Sequence, residues 1–204
     1  MTPPATPRKR PRQERSQETY DAIVEAAAQL FERDGYTRAT TNHVAERAGV
    51  SIGSLYQYFP NKDALLYAVG EQHMRHLTAE LASLVAELRR DLPPLADCVR
   101  ALVRGLAAPH LARPRMHRLL YDQAPRPAEA AARLRQVQQG IAVEVEFHLW
   151  RLGVGGPDPG LTALLLVQGV EAQLHGALLD PPPGRTVEEV IGAVEALCLK
   201  ALAP

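Results

Sequence analysis

Features that define several protein classes are scarce in this sequence of 204 residues. Aromatic residues make up only 5% of it, and the two cysteines are Cys98 and Cys198. They form no CxxC or other ligand spacing, so we interpret them as buried thiols in a reducing compartment. No apolar run approaches the roughly 18 residues of a membrane span, and no hydrophobic stretch follows the N-terminus as in a secretory signal. We therefore expect a cytoplasmic protein without membrane contact.

Net charge is also absent, because 23 basic and 23 acidic residues cancel. Their distribution is uneven, since a basic arm at the N-terminus is opposed only by Glu14 and contains Arg8, Lys9, Arg10, Arg12 and Arg15. Such an arm is either a solvated tail or an extension that contacts phosphate groups. The overall charge alone does not identify a nucleic-acid binder.

Signatures of catalysis and of metal binding are missing as well. The sequence contains no phosphate loop, no nucleophile elbow and no Ser/His/Asp set in a recognisable context. His73 and His76 have a spacing that can bind metal, but no cysteine or carboxylate cluster accompanies them. We therefore expect no enzyme, no metal site and no cofactor.

What the sequence does have is alanine, leucine and helical periodicity. Apolar residues recur three and four positions apart, with no alternating strand pattern, which predicts an all-α protein of about nine helices. Gly35 suits the end of the first helix, whereas Thr40 or Thr41 can cap the second. Thr186 and Glu189 have the spacing of a capping box, which marks the start of the ninth helix.

Prolines mark several of the other helix boundaries. Pro60 ends the third helix, because a proline inside a helix removes a backbone hydrogen bond. A fifth helix is predicted from Pro94 to Leu106, and Pro109 and Pro114 are predicted to break the chain before a short sixth helix. The fourth, seventh and eighth helices are predicted near residues 61–90, 128–152 and 161–179.

Two short helices joined by a turn over residues 49–51 are predicted between residues 40 and 59. Gly49 allows the sharp turn and Ser51 can cap the following helix. This is the pattern of a helix-turn-helix, whose second helix enters the major groove of DNA. Leu55 and Phe59 would face the core, while polar tips remain on Ser54, Tyr56, Gln57 and Tyr58. The alternative is a small helical hairpin with a tyrosine-rich surface.

Residues 39–65 resemble the DNA-binding head of the TetR (tetracycline-repressor-like) family. The resemblance rests on Thr-Thr at 40–41, Ala-Gly-Val-Ser at 48–51, Gly-Ser-Leu-Tyr at 53–56 and Phe-Pro-Asn-Lys-Asp at 59–63. With the first helix it covers about residues 15 to 66. It implies a basic arm over residues 1–14, a DNA-binding domain over 15–65, and a helical effector-binding and dimerisation domain over 66–204.

The resemblance also implies roles for single residues. Thr41, Tyr56 and Lys62 match positions that hold the DNA backbone. Ile52 matches a base-facing position at which a polar side chain is expected. Isoleucine can touch a thymine methyl but cannot hydrogen-bond a base edge. The full predicted DNA-binding set is Thr40, Thr41, Asn42, Ser51, Ile52, Gly53, Ser54, Tyr56, Gln57, Tyr58 and Lys62.

The family resemblance further implies a homodimer, in which the last two helices of each subunit build a four-helix bundle. The eighth helix agrees with this, because it is apolar around most of its circumference and must be covered on more than one side. The alternative is a central helix of a monomer. The predicted interface comprises Leu161, Leu165, Leu174, Val187, Val190, Ile191, Val194 and Leu197.

Polar residues on the seventh and eighth helices have two interpretations. They form either surface or dimer-seam pairs or the polar side of a cavity, because burying them unpaired would be costly. The residues themselves favour the surface or the seam, whereas the family resemblance implies a cavity for a small hydrophobic effector. The predicted pocket comprises Leu102, Leu106, Met116, Leu120, Tyr121, Glu144, His148, Gln168, Glu171 and His175.

Three hypotheses of function follow. The first is a repressor that a small-molecule effector releases from a palindromic operator. The second is an activator or architectural DNA-binding factor without an effector. The third is an enzyme, for which the sequence offers no recognisable site.

Overall fold

The computed structural model describes residue 7, residues 14–123 and residues 128–203. Residues 8–13 of the basic arm and the side chain of Arg15 lie outside this part of the chain. The described residues contain helices and no strand, which confirms the all-α prediction. The helices are α1 (Glu14–Asp34), α2 (Thr41–Arg47), α3 (Ile52–Tyr58), α4 (Lys62–Asp91), α5 (Leu95–Ala112), α6 (Pro114–Gln123), α7 (Ala128–Leu152), α8 (Pro159–Gln173) and α9 (Val187–Ala201).

Local signals at the helix ends behave as the sequence predicts. The hydroxyl of Thr40 accepts a hydrogen bond from the backbone of His43 and caps α2. Gly35 ends α1 in the left-handed region, with φ of +76°, where a side chain would be strained. At α9, Thr186 and Glu189 exchange the two hydrogen bonds of a capping box. Each cap satisfies backbone groups that the first or last helical turn leaves without partners.

The predicted break at Pro109 is wrong, because α5 continues through it to Ala112. A proline inside a helix costs one backbone hydrogen bond and crowds the preceding turn. Here Ala107 and His110 are buried on either side of the proline. The His110 Nδ1 atom also lies 2.9 Å from the carbonyl oxygen of Leu106, which gives this turn an additional hydrogen bond. Burial and this side-chain bond offset the proline.

The eighth helix ends in a wider turn than its sequence predicts. After Gln173 the chain forms a π-helical turn over Leu174–Leu178. Such a turn leaves carbonyls of the preceding turn without their usual partners. The carbonyl oxygen of Glu171 accepts from the Leu174 amide and also lies 2.9 Å from His175 Nδ1, which adds a side-chain hydrogen bond to this turn.

The described residues divide into two compact units. The first contains α1, α2, α3, residues 62–75 of α4, and α6. Its core is formed by apolar faces of all these helices, including Phe31, Leu55, Phe59 and Met116. α6 is tied to α1 by an ion pair of Arg113 with Glu25 and by a 2.6 Å bond from the Met116 amide to Glu32.

The second unit contains residues 76–91 of α4 together with α5, α7, α8 and α9. One of its hydrophobic clusters joins α5, α8 and α9 around Val103, Ala163, Leu174 and Val194. A smaller cluster includes Leu81 of α4. Among the described residues, no helix combines the length and apolarity that crossing a membrane requires.

Candidate functional site

In the first unit, α2 and α3 form a helix-turn-helix whose buried anchors and caps fix the orientation of α3. Leu55 and Phe59 are fully buried, as predicted, and anchor α3 to the core. Gly49 makes the turn with φ of +69°, and Ser51 caps α3 by accepting a hydrogen bond from the Ser54 amide. Val50 packs against the core from inside the turn. The chain therefore fixes which face of α3 points to solvent.

Most of the predicted DNA-binding residues lie on that exposed surface. Thr41 of α2 and Tyr56 of α3 come together, since their hydroxyl oxygens are 3.1 Å apart. Half-buried Ser54 bonds the hydroxyl of Ser51 at 2.8 Å. The exposed members of the predicted set are Thr40, Asn42, Ser51, Ile52, Gly53, Tyr56 and Gln57.

Gly53 leaves room on the surface of α3. A Cβ atom added there would meet only the Ser51 hydroxyl, at an ordinary contact distance of 3.8 Å. The protein itself therefore does not require a glycine at this position. A glycine does let another molecule approach the backbone of α3 more closely than any larger residue would.

Tyr58 does not lie where the sequence analysis expects it. Its side chain is 8% exposed and belongs to the core, and its hydroxyl bonds the hydroxyl of Ser16 in α1 at 2.9 Å. Its ring contacts Tyr20 edge to face. A residue directly before Phe59 would be expected to turn outward, but the N-terminal turns of α1 cover this side of α3. Tyr58 therefore positions α3 from within the protein instead of facing a base.

Lys62 also has a different environment from the one its predicted phosphate contact implies. Its ammonium group donates to the carbonyl oxygens of Tyr36 at 2.6 Å, Ala39 at 3.1 Å and Thr37 at 3.4 Å. It also lies 4.2 Å from the centre of the Tyr36 ring. Because an ammonium group has three donors, these carbonyls use all of them. Lys62 fixes the loop between α1 and α2 to the start of α4.

The second unit encloses an apolar cavity of about 60 Å³ between α5, α7, α8 and α9. Two residues of the predicted pocket set from α5 and one from α7 line it, namely Leu102, Leu106 and His148. The other lining residues are Leu95, Cys98, Val99, Val103, Ile141, Val145, Leu149, Leu166, Val167, Val170, Cys198 and Leu202. Their helical spacing on α5 and α7 is the signal that could have found them.

The remaining predicted pocket residues do not line this cavity. Met116 and Leu120 pack in or against the core of the first unit, and Tyr121 is exposed on α6. Their assignment to the pocket follows from the family resemblance, but α6 packs on α1.

Four polar residues of the predicted pocket lie elsewhere in the second unit. Glu144 forms an ion pair with Arg89 at 2.8 Å. Glu171 accepts a hydrogen bond from Gln138. Gln168 is exposed, and half-buried His175 lies over the Glu171 carbonyl. None of them lines the cavity, and their polar groups are satisfied at or near the surface.

A polar cluster lies at one side of the cavity, around His148. The Nε atom of Arg151 donates to His148 Nδ1 at 2.8 Å, and another guanidinium nitrogen lies 3.3 Å from Cys98 Sγ. Burial, together with the positive charge of Arg151, lowers the pKa of His148. Burial raises the pKa of the Cys98 thiol, although Arg151 opposes this. The imidazole and the thiol are therefore both neutral near pH 7.

The predicted dimer residues fall into two groups. Leu174, Val190, Ile191 and Val194 are buried in the core of the chain itself, so their assignment to a partner interface is corrected. α9 turns its β-branched stripe inward because that stripe packs on α5 and α8. Half-buried Val187 lies against the same core. Leu161, Leu165 and Leu197 are exposed.

The fold and the surface of α3 define an all-α protein with a helix-turn-helix head. Residues 23–69 match the bacterial regulatory proteins of the tetR family, and residues 94–202 match the tetracyclin repressor-like C-terminal domain. The second match alone covers more than half of the chain. The chain therefore belongs to the TetR family, whose members are regulators and not enzymes.

Two relatives match part of the sequence. TtgR, an HTH-type transcriptional regulator of Pseudomonas putida, is 36% identical over 90 residues, or 44% of this chain and 41% of TtgR. YvkB, an uncharacterized HTH-type transcriptional regulator of Bacillus subtilis, is 33% identical over 81 residues, or 40% of this chain and 43% of YvkB. The chain thus spans less than half the length of these curated relatives.

A solved structure extends the likeness to the whole fold. SmeT, the repressor of the Stenotrophomonas maltophilia multidrug efflux pump SmeDEF, superposes with a TM-score of 0.60 and 23% identity. The match covers 94% of this chain and 93% of SmeT. SmeT is also known in complex with triclosan. At this identity the comparison shows that the fold is shared.

Proposed function

We propose that this protein is a cytoplasmic, homodimeric repressor that binds a near-palindromic DNA operator and leaves it when a small molecule occupies the second unit. The observation that carries the proposal is the exposed face of α3, which Leu55 and Phe59 hold outward beside the Thr41–Tyr56 hydroxyl pair. Family membership supports the regulatory role. Residues 15–65 are proposed as the DNA-binding domain and residues 66–204 as the effector-binding and dimerisation domain.

Each group on this face suits one part of a DNA duplex. The hydroxyls of Thr41 and Tyr56 can bond phosphate oxygens and so fix register, which carries no sequence information. Exposed Gln57 can form two hydrogen bonds with an adenine edge, and Ile52 can contact a thymine methyl. Gly53 allows α3 to lie deep in the major groove.

A second copy of the chain is proposed to cover the exposed faces of α8 and α9. Leu161 and Leu165 are exposed on α8, where Gly169 and Ala172 continue the same stripe. On α9 the corresponding exposed residues are Gly192, Ala193, Ala196 and Leu197. Small residues beside exposed leucines let two helices approach closely, and an apolar face of this kind marks an interaction surface. A dimer also matches the two-fold symmetry of a palindromic site.

The proposed effector binds the apolar cavity of the second unit. The triclosan complex of SmeT supports a small, mostly apolar compound. α4 supplies residues to both units and is the continuous element through which occupancy would reach the DNA-binding head. The effector can act only by binding the DNA-incompetent state more tightly, and such coupling is typically about 1–3 kcal/mol.

The small size of the cavity favours the alternative of a DNA-binding regulator without an effector. A volume of about 60 Å³ is well below the roughly 150 Å³ of an apolar cavity that accepts benzene. An effector larger than a few atoms therefore has to displace side chains. If no compound enters, the protein is a DNA-binding regulator without an effector.

DNA binding is tested with the intergenic DNA beside the gene, by footprinting followed by fluorescence anisotropy on single-base variants of the protected site. We expect one near-palindromic footprint, and Gln57→Ala should change the preference at one position of each half-site. A bidentate contact discriminates by about 1–3 kcal/mol. Gln136→Ala is the matched control, since Gln136 is exposed on α7, outside the proposed DNA-binding and dimer surfaces. The absence of a footprint, or equal effects of both variants, would contradict the proposal.

A further inference from the structure

A buried polar group that the protein does not satisfy lies in the wall of the cavity of the second unit. His148 is 4% exposed and lines the cavity. Its Nε2 atom has no hydrogen-bond partner among the described residues. All other side chains that line the cavity are aliphatic or are the thiols of Cys98 and Cys198. A buried polar atom without a partner is destabilising, so a ligand that bonds it gains a specific interaction.

The neighbours of His148 determine whether this atom donates or accepts. Arg151 is always protonated and can only donate, and its Nε atom bonds His148 Nδ1 at 2.8 Å. Nδ1 must therefore carry the lone pair. The Cys98 sulfur, 3.7 Å from the same nitrogen, can only add a second donor to it. In a neutral ring the single proton then lies on Nε2, which makes this atom an N–H donor.

Further contacts keep Arg151 in this position. One of its terminal nitrogens donates to the carbonyl oxygen of Pro93, and the same nitrogen lies 3.3 Å from Cys98 Sγ. The chain segment before α5 and the thiol therefore orient the guanidinium, which in turn fixes the tautomer of His148. The neutral ring is favoured because burial and the Arg151 charge lower the pKa of His148.

We propose that the cavity selects compact, apolar molecules that carry a hydrogen-bond acceptor and need no hydrogen-bond donor, such as small ketones, lactones or esters. The donor to this acceptor is His148 Nε2–H. This inference rests on the proposed function in that it names the chemical class of the effector. Nε2 has no surface open to the cavity of about 60 Å³, so the ligand reaches it by displacing a neighbouring side chain. Cys98, His148 and Arg151 act as one unit, in which His148 donates the hydrogen bond to the ligand.

Three probes of nearly equal size test this selectivity by NMR titration of the free protein. Cyclopentanone offers an acceptor, methylenecyclopentane offers neither donor nor acceptor, and pyrrole offers only a donor. The ratio of the association constants of the ketone and the alkene is compared between the wild type and His148→Phe. The difference in transfer from water cancels in this comparison. We expect the ratio to fall about tenfold in His148→Phe, as for one lost hydrogen bond.

His76→Phe is the matched control, because His76 is an exposed histidine of the same unit and lies outside the cavity. It should leave the ratio unchanged. Arg151→Met provides a second variant that keeps the imidazole. There the tautomer is no longer fixed, so the ketone should lose affinity relative to pyrrole. Long-range ¹H–¹⁵N spectra of the wild type should show a protonated Nε2 and an unprotonated Nδ1 in His148.

The proposal is overturned by an unchanged ratio in His148→Phe or by a protonated Nδ1 in the wild type. The proposed function is tested separately by adding the same probes to the operator complex. Binding that depends on His148 but leaves the operator complex intact would retain the ligand site and reject the effector role. Release of DNA by compounds whose binding ignores His148 would retain the effector role and reject this site.

Discussion

The hydroxyl oxygens of Thr41 and Tyr56 lie 3.1 Å apart, although the residues belong to different helices of the helix-turn-helix. The pair couples the start of α2 to the exposed side of α3. Because neither hydroxyl is charged, the two can bind a phosphate oxygen without releasing the counterions that surround the DNA. This separates their contribution from that of lysine or arginine contacts, which make DNA affinity depend on salt.

Thr41→Val and Tyr56→Phe should each weaken binding to all DNA sequences alike, by about tenfold, which corresponds to one lost hydrogen bond. The slope of affinity against salt concentration should not change. The double variant should lose less than the sum of the two single losses, because the partners share a hydrogen bond. Anisotropy titrations of operator and unrelated DNA at several salt concentrations measure this. A change in base preference would place the pair at a base edge instead.

Lys62→Met should lower the stability of the fold and leave the salt dependence of DNA binding unchanged. The variant leaves three carbonyl oxygens without their donor, and each hydrogen bond to a charged group contributes about 1.5–3 kcal/mol. Thermal and urea unfolding measure the first effect, with Lys200→Met on exposed Lys200 as the control. A salt slope that falls by about one, with stability intact, would instead support the phosphate contact that the sequence predicts.

The sequence predicts backbone features of the head better than side-chain directions. Gly49, Ser51 and the caps act through local geometry, so their roles can be deduced from neighbours in the chain. Tyr58 and Lys62 differ because their partners are distant in sequence: Ser16 lies on α1, and the carbonyls of Tyr36 and Ala39 precede α2. Neither the composition nor the period of α3 contains this information.

Leu165→Glu should dissociate the proposed dimer while the chain stays folded. Leu165 is 58% exposed within the chain, so a charge there is solvated in the monomer and buried without a partner only in a dimer. Light scattering should show a monomer, circular dichroism should show unchanged helicity, and DNA affinity should collapse. Val143→Glu on α7 is the control, since Val143 is equally exposed but lies on a different helix.

Val194→Glu should instead disrupt the fold, because Val194 is 3% exposed and lies in the core of the second unit. A buried, unpaired carboxylate there should unfold the unit, at a cost of several kcal/mol. Its helical signal should fall along with dimerisation. A wild-type chain that is monomeric at micromolar concentration, or a Leu165→Glu variant that stays dimeric, would exclude the proposed interface.

The cavity shows the same limit for whole helices: the sequence predicts which face of a helix is apolar but not which helix covers it. The apolar stripe of α5 is visible in the sequence, and Leu102 and Leu106 follow from it, whereas His148 is predicted as a polar residue four positions after Glu144. Assigning α6 to the pocket required knowing which helices pack together, and that depends on contacts of Met116 with α1, far away in the chain. Helix faces are local properties, but the choice of neighbour for each face is set by the whole core.

Stability of the free protein should decrease as the pH falls below about 6.5, and His148 should account for part of the decrease. Burial and the charges of Arg151 and Arg89 lower the pKa of His148 in the folded chain below the ordinary value of 6.5, while Glu144 opposes them. The unfolded chain therefore binds more protons between the two pKa values, so stability rises with pH in that range. The contribution is fully present above pH 6.5 and is lost as the pH falls through the folded pKa.

For one proton the slope is at most about 1.4 kcal/mol per pH unit. Urea unfolding at pH 5 to 8 measures it, and His148→Phe should reduce the slope in the acidic half of this range. His76→Phe, which alters an exposed histidine, should keep the wild-type slope. Arg151→Met should reduce the free energy of unfolding that is lost as the pH falls below 6.5, because removing the nearby positive charge makes protonation of His148 less costly. A His148→Phe variant with the full wild-type slope would show that His148 does not carry this dependence.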